Sequence, residues 1–189
     1  MIDPTKITDF KRTTTELEEL LLFCILVAGK TASIQAKKLE LFLTADKLKK
    51  SPFQLLEYYI NQKSLLRKIK NAKLGQYSRL QRAFRQVLAL DVKTCTVEQL
   101  EQITGIGPKT ARFYILHSRP NQQVAVLDTH VLKWLRDELG LETPKSTPSS
   151  KKYLELEQAF LKYCKDNQKN PAIFDLEIWN KYSIKSGKQ

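Results

Sequence analysis

Apolar positions recur at helical spacing along almost the whole chain. The run Leu20–Ala28 is apolar throughout and lies behind the acidic residues Glu16, Glu18 and Glu19, which predicts a buried helix over Leu17–Ala28. A second helix is expected through Ile34, Leu39, Leu41 and Phe42. Ser51 before Pro52 is a start signal for a third, continuing through Phe53, Leu55 and Leu56. Tyr77, Leu80, Phe84, Val87 and Leu88 form one stripe at i, i+3, i+7, i+10 and i+11. Gly140–Ser150, with Pro144 and Pro148, reads as a linker. Beyond it Tyr153, Leu156, Phe160 and Tyr163 make another stripe, and a last helix begins near Pro171 with Phe174, Leu176, Ile178 and Trp179. Val124–Leu127 is β-leaning but too short for a strand, and is read as a loop. The expected fold class is all-α.

One interval breaks the helical pattern in an informative way. Ile103–Arg112 reads ITGIGPKTAR. Gly105 and Gly107 bracket Ile106, and glycine supplies positive φ and close backbone approach. Pro108 stands where a following helix would begin, and its missing N–H is harmless there. Upstream, Thr96 and Gln99 have capping-box spacing for a short helix carrying Val97, Leu100 and Ile103. The whole reads helix, tight turn, helix. Free amides at such a turn and at a helix N-terminus make a phosphate site. The candidate phosphate-contacting residues are therefore Gly105, Ile106, Gly107, Pro108 and Thr110, with Arg112 one turn further on. Turns of this kind also occur in polymerases, ligases and recombination proteins as plain backbone clamps, where the lysine only touches phosphate.

Asp128, in the segment VAVLDTHV at 124–131, follows Lys109 by about one helix and a return loop. Alone it reads as the N-cap of a helix over Val131–Leu139. Together with Gly105-Ile106-Gly107-Pro108-Lys109-Thr110-Ala111 and Leu127-Asp128-Thr129-His130, it resembles the endonuclease III branch of the helix–hairpin–helix DNA glycosylase superfamily. Leu74-Gly75-Gln76-Tyr77-Ser78-Arg79 looks like that family's stretch before a long helix. The resemblance aligns Lys109 with the Schiff-base lysine and Asp128 with the essential aspartate, the two candidate catalytic residues. It implies a barrel lobe over residues 22–126 that ends in the helix–hairpin–helix (97–118). Residues 1–21 and 127–189 would form a second lobe, with 140–150 as linker and DNA in the cleft between the lobes.

Two departures from the family pattern matter. Many members of that branch carry four C-terminal cysteines around an iron–sulfur cluster. This chain has only Cys24, Cys95 and Cys164, widely separated, so no cofactor and no metal site are expected. Endonuclease III also has a glutamine at the end of its first barrel helix that fills the hole left by a flipped base. The corresponding stretch here is Val27–Ala32, and Gly29 cannot fill a hole. The wedge is expected at Lys30, at Gln35, or on another loop.

Charge supports the same partner. The chain has 189 residues, net charge +12 and a sequence pI near 9.6, the footprint of a DNA binder. The excess crowds the first half, at Lys37, Lys38, Lys47, Lys49, Lys50, Lys63, Arg67, Lys68 and Arg82 among others. The apolar run is far short of the ~20 residues that cross a bilayer. No targeting signal is visible, so a cytoplasmic or nucleoid-associated monomer is expected, nuclear if eukaryotic, with double-stranded DNA as partner and no membrane.

The chemistry this predicts is base excision. A base within a duplex is out of reach, so the nucleotide must flip. Lys109 as a neutral amine attacks C1′ and forms a Schiff base, and β-elimination of the 3′ phosphate follows. Asp128 stabilises the positive charge that grows on the sugar. Two other readings fit the residues: a monofunctional glycosylase that uses water while Lys109 holds phosphate, and a DNA-binding module with no activity. Thr129 and His130 read as structural, and His117 as a polar residue at a helix C-terminus. Phe113, Tyr114, Trp134 and Trp179 could stack on a base but are expected in the core. The base excised is not legible.

Overall fold

A computed structural model describes residues 2–184. Among them are ten α-helices and no strand: α1 (Thr14–Val27), α2 (Ala32–Thr44), α3 (Pro52–Asn61), α4 (Leu65–Asn71), α5 (Tyr77–Gln86), α6 (Val97–Glu101), α7 (Pro108–Ser118), α8 (Thr129–Leu139), α9 (Ser150–Asp166) and α10 (Pro171–Ile184). Single 3-10 turns sit at Pro4–Lys6 and Val87–Ala89. The fold is all-α, as the periodicity predicts.

Local signals set the helix starts. Thr13, Ser51 and Thr96 each cap a helix, and their own amides donate in return to the side chains of Glu16, Gln54 and Gln99. Each box satisfies two amides that a helix otherwise leaves open. The stripe from Tyr77 does not stay α-helical to Leu88; the last positions tighten into the 3-10 turn. The helix α4 was passed over by periodicity, because seven residues with only Leu65 and Ile69 buried carry too little pattern.

α1 is the axle of the larger core. Nine of its residues are buried from Leu17 to Leu26, and it packs on α2, α3, α5 and α7. That core runs from Ile2 to Ile115 in the chain, so Ile2, Ile7 and Leu17 share it with the residues that follow. A second core joins α8, α9 and α10 around Trp134, whose ring meets Phe160, Tyr163 and Phe174 edge-on at 4.8–6.0 Å. Leu116, Val126 and Ala172 form a small third cluster against Phe10 and Phe113. The N-terminal segment is tied to the end of α7: the Asp9 amide and the Arg12 guanidinium both donate to the His117 carbonyl, at 3.1 Å each.

Among the described residues no helix is long and apolar enough to cross a membrane. Cys24, Cys95 and Cys164 are buried free thiols. Burial pushes Cys24 and Cys164 up to about 12, which leaves both in the unreactive thiol form. Among the described residues no three His, Cys, Asp or Glu gather where a metal ion could bind.

Candidate active site

The hairpin turn is built from both sides. α6 ends at Glu101, and the Ile106 amide donates back to the Ile103 carbonyl at 2.9 Å. The Ile106 side chain is buried in the larger core. Gly105 takes φ +86, which only glycine adopts readily. A Cβ there would lie 2.7 Å from Arg79 Nη1. Arg79 fills that space and donates from Nη2 to the Ile25 carbonyl at 3.0 Å, joining the turn to α1. The Gln86 side chain accepts from the Thr104 amide at 2.8 Å and closes the turn from α5.

Gly107 differs from Gly105. Its φ of −104 and ψ of 179 are ordinary extended backbone, and a Cβ there would meet nothing within 4 Å. The fold therefore does not require glycine at 107. Its lack of a side chain leaves the outer face of the turn bare. Pro108 opens α7, and no side chain caps the helix, so the amides of Lys109 and Thr110 remain open to an external acceptor. Ile106 was expected to offer its amide as well; that amide is already used inside the turn, so the correction confines the open donors to the helix start.

Lys109 is the second residue of α7 and is half-buried. Its charge reaches the buried Cys24 thiol on α1 and the buried Asp175 carboxylate on α10. Asp128 caps α8: its Oδ1 accepts from the His130 and Val131 amides at 2.8 Å each. Oδ2 has no hydrogen bond within the described residues. Asp128 also reaches Asp175 electrostatically, so Asp175 lies in the field of both candidate catalytic groups. Burial raises the Asp175 pKa; the His117 bond and Lys109 oppose that rise, and Asp128 adds to it.

Asp175 lies outside the sequence reading, and its partner His117 was read only as a polar residue at a helix end. His117 is fully buried, with Nε2 3.2 Å from Asp175 and Nδ1 2.7 Å from the Thr8 hydroxyl. It stands in the last turn of α7, as its position predicts, and is buried there. Asp175 did leave a signal: an acid set directly between the apolar residues Phe174 and Leu176.

Arg112 requires the larger correction. It was expected at the DNA surface and is instead buried under the site. Its Nε donates to Glu157 at 2.8 Å and its Nη1 to Glu101 at 2.9 Å, while the guanidinium lies 4.5 Å from the centre of the Tyr153 ring. Burial opposes its charge, yet Glu157, Tyr153 and Glu101 outweigh it and leave the pKa raised. A buried pair of this kind loses about 3–5 kcal/mol when one partner is removed, because the other stays behind uncompensated.

Lys30 is likewise committed to the fold. Its Nζ donates to the Leu74 carbonyl at 3.0 Å, and burial, then Arg79 and Lys38, lower its pKa. Gln35 is buried and cannot be the wedge without leaving the core. Phe113 is half-buried against His117, Tyr114 donates to the Val92 carbonyl and Trp134 centres the second core. Trp179 alone among these aromatics is half exposed, edge-on to His130 at 6.3 Å.

A two-core helical fold, a glycine turn with open amides, and a lysine and an aspartate at adjoining helix starts define a helix–hairpin–helix DNA glycosylase. Within that class, the sequence model of 8-oxoguanine DNA glycosylase matches residues 4–169, and the chain belongs to that family. An 8-oxoguanine DNA glycosylase/AP lyase of Thermotoga sp. strain RQ2 is 31% identical over 174 residues, covering 84% of this chain and 76% of its own. Among solved structures, the 8-oxoguanine DNA glycosylase of Methanocaldococcus jannaschii has a TM-score of 0.63 at 25% identity, over 93% of this chain and 82% of that one. The same organism's 8-oxoguanine glycosylase/lyase, solved with a 15mer DNA containing 8-oxoguanine, superimposes at TM-score 0.67 and 23% identity, over 93% and 86% of the two chains.

Proposed function

We propose that this DNA glycosylase/AP lyase excises 8-oxoguanine from duplex DNA and then cuts the strand at the abasic sugar, with Lys109 as nucleophile and Asp128 as the charge-stabilising carboxylate. The observation that carries the assignment of residues is the placement of Asp128. One carboxylate oxygen is fixed by two amides of α8, and the other has no hydrogen bond within the described residues. Its charge and that of Lys109 meet at the same buried Asp175. The choice of 8-oxoguanine rests on family membership and on the relatives named above.

In this reading the amides at the start of α7 grip a backbone phosphate next to the lesion. Bare Gly107 lets that phosphate approach. The Lys109 amine bonds to C1′ as the glycosidic bond breaks and the base departs with the electron pair. Asp128 offsets the charge on the sugar during that step. The amine then carries the sugar as a Schiff base, which acidifies C2′ and expels the 3′ phosphate. The protein acts as a monomer in the compartment that holds the DNA.

The test is a panel of single-lesion duplexes with borohydride present. 8-oxoguanine should be released and the protein trapped on that duplex. Release from another lesion with none from 8-oxoguanine overturns the substrate. Release without trapping overturns the nucleophile.

A further inference from the structure

The backbone that carries Asp128 is irregular and buried. Ala125, Val126 and Leu127 are at most 2% exposed and belong to no helix or strand. Buried peptide groups in such a segment need partners from elsewhere. Four bonds supply them, and three come from α9. The Tyr153 hydroxyl donates to the Ala125 carbonyl at 2.9 Å and accepts from the Leu127 amide at 3.1 Å. Glu157 Oε1 accepts from the Ala125 amide at 2.8 Å. The Asp128 amide itself turns back to the Val126 carbonyl at 2.8 Å.

The same two side chains also hold α7. Glu157 Oε1 takes the Arg112 Nε, and the Arg112 guanidinium lies over the Tyr153 ring. Arg112 follows Lys109 by three residues, nearly one turn of the helix. One turn of α9 therefore touches both the helix that bears the lysine and the segment that delivers the aspartate.

We propose that Tyr153 and Glu157 are positioning residues that fix Asp128 relative to Lys109 by clamping residues 125–127 onto Arg112. The proposal rests on the assignment of Lys109 and Asp128 above. Neither side chain reaches the DNA surface: Tyr153 is 1% exposed and Glu157 6%. Their effect runs through the backbone. Tyr153→Phe keeps the ring against Arg112 and removes only the bridge between Ala125 and Leu127. The segment is then free to shift, and a displacement of about 1 Å at a catalytic group can cost on the order of 100-fold in rate.

The experiment measures single-turnover base release, duplex affinity and melting temperature for the parent, Tyr153→Phe, Asp128→Asn and the double variant. Release by the parent establishes the reading on which the proposal stands; its absence sinks that reading and not the geometry of the clamp. Tyr153→Phe is expected to slow release by roughly 10- to 100-fold and to leave affinity for the same duplex within about 3-fold, well under a tenfold step. In the Asp128→Asn background it should add little, since two changes acting through one group are not additive. An equal slowing in both backgrounds, or a loss confined to affinity, overturns the proposal. Should Tyr153→Phe fail to fold, Glu157→Gln takes its place. That variant keeps an acceptor for the Ala125 amide and weakens only the hold on Arg112. Partial slowing of release at unchanged affinity supports the clamp, and a parental rate overturns it.

Discussion

At the scale of single residues, the two catalytic candidates differ in what surrounds them, and their variants should differ accordingly. Lys109→Gln should abolish covalent trapping by borohydride and leave duplex binding nearly intact, since one cation among many is lost; trapping gels beside a filter-binding curve check both. Asp128→Asn should remove most base release while the protein stays folded. An amide oxygen can still accept from the His130 and Val131 amides, so the cap survives, and circular dichroism should be unchanged. Asp175 makes a pH prediction. Its pKa is raised in the folded state by burial, so the native protein keeps a proton that the unfolded chain gives up near pH 4. Its contribution to stability is therefore present at acid pH and is lost as pH rises from there through the raised folded value. Asp175→Asn should gain melting temperature relative to the parent as pH climbs through that window, in paired thermal melts. A constant difference across pH refutes this.

Among elements, the hairpin is where sequence and structure agree most closely, and the reason is chemical. Thr96, Gln99, Gly105 and Pro108 each act on backbone within three residues of themselves, so local sequence specifies the turn. Asp128 was legible as a cap for the same reason. Arg112 and Lys30 depart from their reading because what engages them comes from far along the chain, Glu157 and the Leu74 carbonyl, and the partners of His117, Thr8 and Asp175, are as remote. Nothing within a helical period of Arg112 forecasts a buried acid 45 residues away. Glu157 itself carried a faint sign, an acid on the same face as Tyr153, Leu156 and Phe160. The two glycines of the turn should separate cleanly on mutation. Gly107→Val should fold with the parental melting temperature and lose affinity for every duplex alike, because its side chain projects toward the phosphate. Gly105→Val should lose stability first, from strain at φ +86 and collision with Arg79. Thermal melts and binding isotherms on both variants test the contrast, and a stable Gly105→Val would contradict it.

For the whole molecule, charge and connectivity act together. The +12 excess predicts affinity that falls steeply with salt, linear in log–log form, with a slope of about 0.9 for each phosphate neutralised. Lys109→Gln should reduce that slope by no more than about one such unit, and a titration series from low to moderate salt measures it; a flat dependence would mean that the cations do not track the backbone. The order of the chain has a consequence of another kind. α1 is apolar on nearly all sides, and part of its covering is α7, which follows about 80 residues later. On a ribosome adding roughly 5–20 residues per second, α1 leaves the exit tunnel on the order of 4–16 s before that neighbour does. For that interval the greasiest helix of the protein has only α2, α3 and α5 to shelter it, until the hairpin arrives to complete its cover.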